Sequence, residues 1–161
     1  MSDNEQITEL LKTISEHEFF TGLKKDSLRF LAENASHMNI EAGDVLFKQG
    51  VHADRFYLML SGEISVEVPA IQGPSLNLQK LSKGKILGWS WLMPPYRWDF
   101  QARAIGDAEL IEFDGKAILA QCEADNSFGY DLFKRFAGLM SERLLAARRK
   151  MMDQWDPPGF A

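Results

Sequence analysis

The sequence predicts a mainly β fold, a sandwich or barrel, with helices before and after it. Two changes in hydrophobic period carry this prediction. Apolar residues at helical spacing give way near His37 to short runs cut by glycine turns, and the helical spacing returns after Asp114. The runs recur roughly every 8–12 residues, which is typical of sandwiches and barrels. Parallel folds built from alternating β-α units are therefore disfavoured.

Two helices are predicted before the β region. The first carries four apolar residues at positions i, i+3, i+4 and i+7, starting at Ile7. The second follows Gly22, repeats that spacing from Leu28, and has Asp26 in its first turn, where the helix dipole favours an acidic side chain.

The middle of the chain is predicted to form short strands separated by glycine-marked turns. We expect positive φ at Gly43, Gly50, Gly62 and Gly84, because glycine adopts that conformation without steric cost. The predicted strands are His37–Ile40, Val45–Lys48, Arg55–Leu60, Glu63–Val68, Leu76–Leu81, Phe100–Ile105 and Ala108–Phe113.

A short helix is predicted after Asp114, and a long one from about Asn126 to Trp155. At 1.5 Å per residue the long helix would be about 40 Å long and would overhang a small β core. Its regular apolar stripe favours a symmetric dimer over the alternative, a helix folded back along its own barrel. The predicted dimer residues are Phe133, Phe136, Met140, Leu144, Ala147 and Met151.

Length and composition indicate one soluble domain. The chain has 161 residues, 45% of them apolar, and a net charge of −5, which argues against a chain-wide nucleic-acid surface. Its single cysteine, Cys122, excludes an internal disulfide. Neither a membrane-spanning run nor a signal sequence is evident, so we expect a cytoplasmic protein. The expected parts are 1–36 (helices), 37–113 (β domain), 114–155 (helices) and 156–161 (tail).

Two glycine-punctuated blocks form a signature in the β region. Residues 40–50 read IEAGDVLFKQG and residues 53–66 read ADRFYLMLSGEISV, and LSKG at 81–84, ILG at 86–88 and ARA at 102–104 follow. This series resembles the cyclic-nucleotide-binding domain of the Crp/Fnr-like superfamily, over nearly the whole chain. The resemblance implies an eight-stranded jelly roll (a double-stranded β-helix) with N-terminal helices and a long C-terminal helix.

The resemblance also implies a phosphate-binding cassette between residues 84 and 104. Family members carry Gly-Glu near its start and an arginine followed by a small hydroxyl residue near its end. The glutamate accepts from the ribose 2′-hydroxyl, and the arginine clamps the cyclic phosphate. Here Gly88 is present, but Trp89 stands at the glutamate position, Trp98 at the arginine position and Asp99 at the hydroxyl position. An indole has neither an acceptor nor a positive charge, so a cyclic nucleotide is a doubtful ligand.

Two interpretations of this cassette remain open. In one, the tryptophan rings fill the pocket and the cassette is degenerate. In the other, the pocket is altered: Arg97, Ser90 and Arg103 hold an anion, and Trp89 and Trp98 stack on the ligand. Arg97 reaches the arginine position only if the loop is shifted by one residue.

Other chemistry is not indicated. The three histidines are far apart, so no metal site is expected, and no nucleophile elbow is present, so no catalytic residues are expected. Only residues 156–161 follow the long helix, which predicts a stand-alone form without a helix-turn-helix and without DNA binding. We therefore expect a non-catalytic ligand-sensing module that dimerises and signals to a protein partner. The alternative is a degenerate roll that serves as an interaction or scaffolding subunit.

Overall fold

A computed structural model describes residues 2–155, so the predicted tail, residues 156–161, lies outside the described residues. The helices are α1 (Asp3–Glu16), α2 (Lys25–Glu33), α3 (Gly115–Ala124) and α4 (Asn126–Gln154), with short 3-10 helices at Glu18–Phe20 and Ser90–Leu92. The strands are β1 (Ala35–Ile40), β2 (Val45–Phe47), β3 (Arg55–Ser61), β4 (Ile64–Val68), β5 (Leu76–Leu81), β6 (Ile86–Leu87), β7 (Gln101–Ala104) and β8 (Ala108–Asp114).

The strands form two four-stranded antiparallel sheets, in the orders β1-β8-β3-β6 and β2-β7-β4-β5. This arrangement confirms the jelly roll with flanking helices. Apolar side chains pack in two clusters, one between the sheets and one between the first sheet and the helices. Strand β8 serves both: Leu110 faces the roll interior, whereas Ile111 and Phe113 face the helices, because successive side chains alternate across a strand.

Most predicted strand ends agree with the structure to within one residue, and two larger differences remain. Strand β6 was not among the seven strands predicted from the pattern, because Ile86–Leu87 is too short to show an alternation. Strand β1 begins at Ala35 rather than His37, continuing directly from the end of α2 at Glu33. Among residues 2–155 the structure contains no helix with the length and apolarity needed to cross a membrane.

All four glycines predicted at turns have positive φ, and Gly62 is the most constrained of them. Its φ is 83°, and a Cβ built there would lie 2.5 Å from the Asp107 carbonyl oxygen. Gly43 has a similar φ of 89°, but a Cβ there would have no neighbour within 4 Å.

We expect Gly62→Ala to destabilise the protein more than Gly43→Ala. Both variants carry the left-handed penalty of about 1–2 kcal/mol, and Gly62→Ala adds an overpacking cost of about 1–3 kcal/mol. Urea denaturation followed by circular dichroism compares the free energies of unfolding. Equal losses in the two variants would contradict the close approach at Gly62.

Helix α4 lies along its own domain for most of its length. Phe136 is fully buried in the helix-facing core, and Met140 is partly buried against it. The far end of the helix also reaches the roll, since Lys150 Nζ donates to the carbonyl oxygens of Asn77 (3.1 Å) and Leu78 (3.3 Å). Near its C-terminal end α4 therefore reaches strand β5 through the Lys150 side chain, while residues 144–151 of the helix are exposed.

The other predicted dimer residues lie toward solvent. Leu144 is 72% exposed, Met151 is 61% exposed and Phe133 is 39% exposed. Ala147 is also exposed. Phe136 thus belongs to the core of its own chain, and the apolar surface that α4 leaves open is carried by the remaining residues.

Candidate functional site

The cassette connects β6 to β7, and its three tryptophans go to three different places. Trp91 is 1% exposed in the helix-facing core, where it stacks on Phe56 with ring centroids 5.0 Å apart. Trp98 enters the roll interior, and Trp89 lies half-buried beneath α4. The tryptophan-rich stretch is therefore not one aromatic site.

The Trp98 indole, near the end of the cassette, packs against Gly88, near its start. It stacks on Phe47 with centroids 3.7 Å apart and planes 10° apart. Gly88, whose φ is 100°, approaches its edge so closely that a Cβ there would lie 2.9 Å from Trp98 Cη2. A large apolar ring thus stands at the position that the resemblance assigns to the phosphate clamp.

The roll interior around Trp98 is apolar. Tyr57 is also buried there, 6.3 Å from Phe47 between ring centroids, and burial raises the pKa of its hydroxyl well above the usual range. Two surface cavities, of about 240 and 690 Å³, are lined by residues outside this interior.

Arg97 points away from the roll interior because the end of the cassette is paired like a strand. Trp98 N donates to Val51 O (3.0 Å), Gly50 N donates to Trp98 O (2.8 Å), and His52 and Arg97 form a β-bridge. Neighbouring residues in such a pairing face opposite sides, so the buried Trp98 sends Arg97 outward. The exposed guanidinium donates from Nη1 to Gly50 O at 2.8 Å. The structure therefore does not bring Arg97 to the clamp position.

Arg103 also faces away from the interior. It lies on β7 between Ala102 and Ala104, whose side chains are buried inside the roll. Its Nε donates to Glu67 Oε1 at 3.2 Å on the outer face of the second sheet. Gln101 Nε2 donates to the other carboxylate oxygen at 2.8 Å. Arg103 thus serves a buried structural carboxylate and is not placed to hold a ligand in the roll.

Glu67 should give the protein an acid-sensitive contribution to stability. The hydrogen bond from Arg103 holds the pKa of the Glu67 carboxyl below its usual value of 4.5, although burial opposes the shift. The contribution is fully present above the unfolded-state pKa and is lost as pH falls through the lower folded-state pKa.

We expect Glu67→Gln to lower the melting temperature by roughly 2–4 °C at pH 7. The difference from the unaltered protein should shrink below about pH 4.5, and Glu109→Gln, on an exposed side chain, is the matched control. Thermal unfolding between pH 3 and pH 7 measures both. A difference that stays constant with pH would show that the Glu67 carboxylate is not stabilised by its partners.

The cassette is joined to α4 by Arg143. Its guanidinium lies over the Trp89 ring, 5.2 Å from the centroid, and donates to the Ile86 carbonyl oxygen. Burial lowers the pKa of Arg143 to about 10. Ser90 begins the short helix after Trp89 and is half-buried.

The contact between Arg143 and the cassette was not predicted from the sequence. A signal was present, because Arg143 lies seven residues after the buried Phe136 and so falls on the core-facing side of α4. A cation at an apolar position of an amphipathic helix indicates a specific acceptor. Arg135, on the same side, likewise donates to the Thr21 carbonyl oxygen.

The remaining candidate chemistry is structural. Cys122 is buried, and burial raises the pKa of its thiol to about 11, which disfavours the reactive thiolate. His17 accepts from Phe19 N at Nδ1 (3.1 Å) and lies 2.7 Å from Gly84 O at Nε2. Across residues 2–155, histidine, cysteine and acidic side chains nowhere cluster as they would around a metal ion.

The model of the cyclic nucleotide-binding domain family matches residues 37–125, which cover the roll and α3. The chain belongs to this family. Members of the cyclic nucleotide-binding domain family are mostly regulatory and sensor modules without catalytic activity of their own. The resemblance of the two glycine-punctuated blocks to a cyclic-nucleotide-binding domain is thereby confirmed.

Known members of the cyclic nucleotide-binding fold superpose on nearly the whole chain. A cyclic nucleotide-binding domain from Methylobacillus flagellatus has a TM-score of 0.77 at 15% identity, covering 98% of this chain and 88% of that one. The sensor domain of the transcriptional regulator DNR from Pseudomonas aeruginosa has a TM-score of 0.68 at 19% identity, covering 99% and 100%. At these identities the likeness concerns the fold.

One curated relative shares a shorter stretch. Acetyltransferase Pat of Mycolicibacterium smegmatis is 37% identical over 71 residues, which are 44% of this chain. These residues span only 21% of the length of Pat. The activity of that enzyme is therefore not transferred to the chain.

Proposed function

We propose that this chain is a non-catalytic regulatory module of the cyclic nucleotide-binding family whose output is the position of α4 and whose cassette binds cyclic nucleotides weakly or not at all. The observation that carries the proposal is the Trp98 indole, stacked on Phe47 and packed against Gly88 where a phosphate clamp would be needed. Trp89 supplies no acceptor for a ribose hydroxyl.

The link from the cassette to α4 supports the choice of output. Arg143 contacts both Trp89 and the Ile86 carbonyl, so a displacement of the cassette acts directly on the helix. On its open side α4 carries Leu144 and Met151, which suit contact with a second copy of the chain. We propose a cytoplasmic homodimer that passes the helix position to a protein partner.

The alternative function is an interaction or scaffolding subunit that senses no small molecule. The filled roll interior favours it, since a side chain and not a ligand completes the core. The two proposals differ in whether any small molecule stabilises the folded chain. A thermal-shift screen with nucleotides, flavin and haem separates them, because selective binding to the folded state raises the melting temperature.

Calorimetry with cyclic AMP and cyclic GMP tests the weak binding directly. Each lost charge-assisted hydrogen bond costs about 1.5–3 kcal/mol, so two such losses weaken binding by about a hundredfold to ten-thousandfold. We expect no measurable heat at micromolar concentrations. Arg97→Ala is the matched variant, and since its guanidinium faces the solvent we expect it to behave like the unaltered chain. Micromolar binding would overturn the proposal, and binding that Arg97→Ala abolishes would also show that Arg97 can enter the site.

A further inference from the structure

A groove of about 690 Å³ lies between α1 and β1, which is the edge of the first sheet opposite to β6. Helix α1 contributes one wall through Ile7 and Leu10. Strand β1 contributes the other through Ala35, His37 and Asn39. The volume falls within the range of pockets that hold ligands of drug or short-peptide size.

Strand β1 is an edge strand, so one row of its backbone groups is free. It pairs only with β8, at the end of the first sheet. Asp114 N donates to Asn34 O at 2.8 Å, which makes residues 34 and 114 a hydrogen-bonded pair. Because such pairs alternate along an antiparallel ladder, Ser36, Met38 and Ile40 also bond to β8. The N–H and C=O groups of residues 35, 37 and 39 therefore point to the open edge.

The same three residues line the groove, together with Ser36. Within residues 2–155 no strand pairs with this edge. The groove thus combines unpaired strand donors and acceptors with an adjoining helix, the arrangement that allows an extended segment to be added as a further strand.

The charge of the groove selects the kind of segment. Three exposed carboxylates line it, those of Asp3, Glu9 and Glu109, and its one basic residue is His37. Ile7, which is partly exposed, offers an apolar surface between them. We propose that this groove binds an extended segment of a partner protein, added as a strand next to β1, with lysine or arginine side chains facing the carboxylates.

A second copy of the chain fits this edge poorly. Two β1 strands paired edge to edge would bring the same three carboxylates of each copy together, and like charges in close contact weaken association. A basic segment is instead attracted by these carboxylates, without repulsion between like charges. The site is separate from the cassette and from α4, so it stands whether or not the proposed function does.

Amide exchange measured by NMR on the ¹⁵N-labelled full chain tests the strand addition. The probe is the blocked hexapeptide Val-Lys-Val-Lys-Val-Lys at low salt. In the free protein we expect fast exchange at Ala35, His37 and Asn39 and slow exchange at Ser36, Met38 and Ile40, since only the latter donate to β8. Adding the peptide should slow the first three at least tenfold and leave the others unchanged.

Two comparisons make the test specific. A peptide N-methylated on alternate residues keeps its side chains but loses one hydrogen-bonding edge, and it should not protect the three amides. Glu9→Lys combined with Glu109→Lys should weaken binding of the original peptide about tenfold, whereas Glu16→Lys, on the same helix outside the groove, should not.

Three results would overturn the proposal: no protection at millimolar peptide, protection by the N-methylated peptide as well, or slow exchange of the three amides in the free protein.

Discussion

Replacement of Trp98 by alanine is expected to lower the free energy of unfolding by about 3–5 kcal/mol, the usual cost of removing a buried aromatic ring. The residue is 6% exposed and stacks on Phe47, so its loss leaves an empty space next to Gly88 inside the roll. At roughly 2–4 °C per kcal/mol for a chain of this size, the melting temperature should fall by roughly 6–20 °C. Urea denaturation followed by circular dichroism measures the loss.

The matched control is Trp155→Ala, because that indole is 54% exposed. We expect it to cost less than Trp98→Ala, because a half-exposed ring removes less apolar surface from water. Free indole at millimolar concentration should recover part of the stability of Trp98→Ala and none of the stability of the control, since only the former gains a cavity of matching shape. A loss below 1 kcal/mol for Trp98→Ala would mean that the ring does not fill the interior.

Replacement of Leu144 by glutamate is expected to raise the dimer dissociation constant by about a hundredfold or more. Leu144 is 72% exposed in the single chain and lies on the apolar side that α4 leaves open. Met151, seven residues later, lies on the same side of the helix. A charge placed at the centre of an apolar helix contact must be desolvated without a partner. Analytical ultracentrifugation at micromolar concentration should show a dimer for the unaltered chain and a monomer for the variant.

The neighbouring Leu145 provides a matched control. It is 47% exposed, but one residue along a helix turns the side chain by about 100°, away from the Leu144 side. Leu145→Glu should therefore remain dimeric and keep the same melting temperature as the unaltered chain. A monomer for the unaltered chain, or equal effects of both variants, would remove the dimer proposal and leave α4 as a helix that serves only its own domain.

The fold was predictable because its signals are local. Gly43 and Gly62 mark turns in the printed sequence, and both adopt the left-handed conformation that only glycine tolerates well. The change of hydrophobic period near His37 is also a local signal, because side chains on one face recur every 3.6 residues in a helix and every two residues in a strand. Strand β6 was not predicted because its two residues, Ile86–Leu87, are too few to show an alternation of apolar and polar side chains.

The site was less predictable because its geometry depends on distant pairing. The orientation of Arg97 is fixed by hydrogen bonds between Trp98 and residues 50 and 51, nearly fifty positions away. Arg103 was predicted to contact a ligand, but its partner is Glu67 on the adjacent strand, 36 positions away in the sequence. The presence of Trp98 in place of the arginine, in contrast, was visible in the sequence. The resemblance assigns the position, and an indole carries no positive charge for a phosphate.

Three basic residues of α4 donate hydrogen bonds to main-chain acceptors elsewhere in the domain. Arg135 donates to Thr21, Arg143 to Ile86, and Lys150 to Asn77 and Leu78, in each case at the carbonyl oxygen. Every residue type carries that oxygen, so substitutions at the acceptor positions can accumulate during evolution without breaking the attachment. No charge swap can rescue a lost arginine either. Pairwise covariation between α4 and the rest of the domain should therefore be weak at Arg135 and Lys150, whereas Arg143 also contacts the Trp89 ring, a side-chain partner that can covary with it.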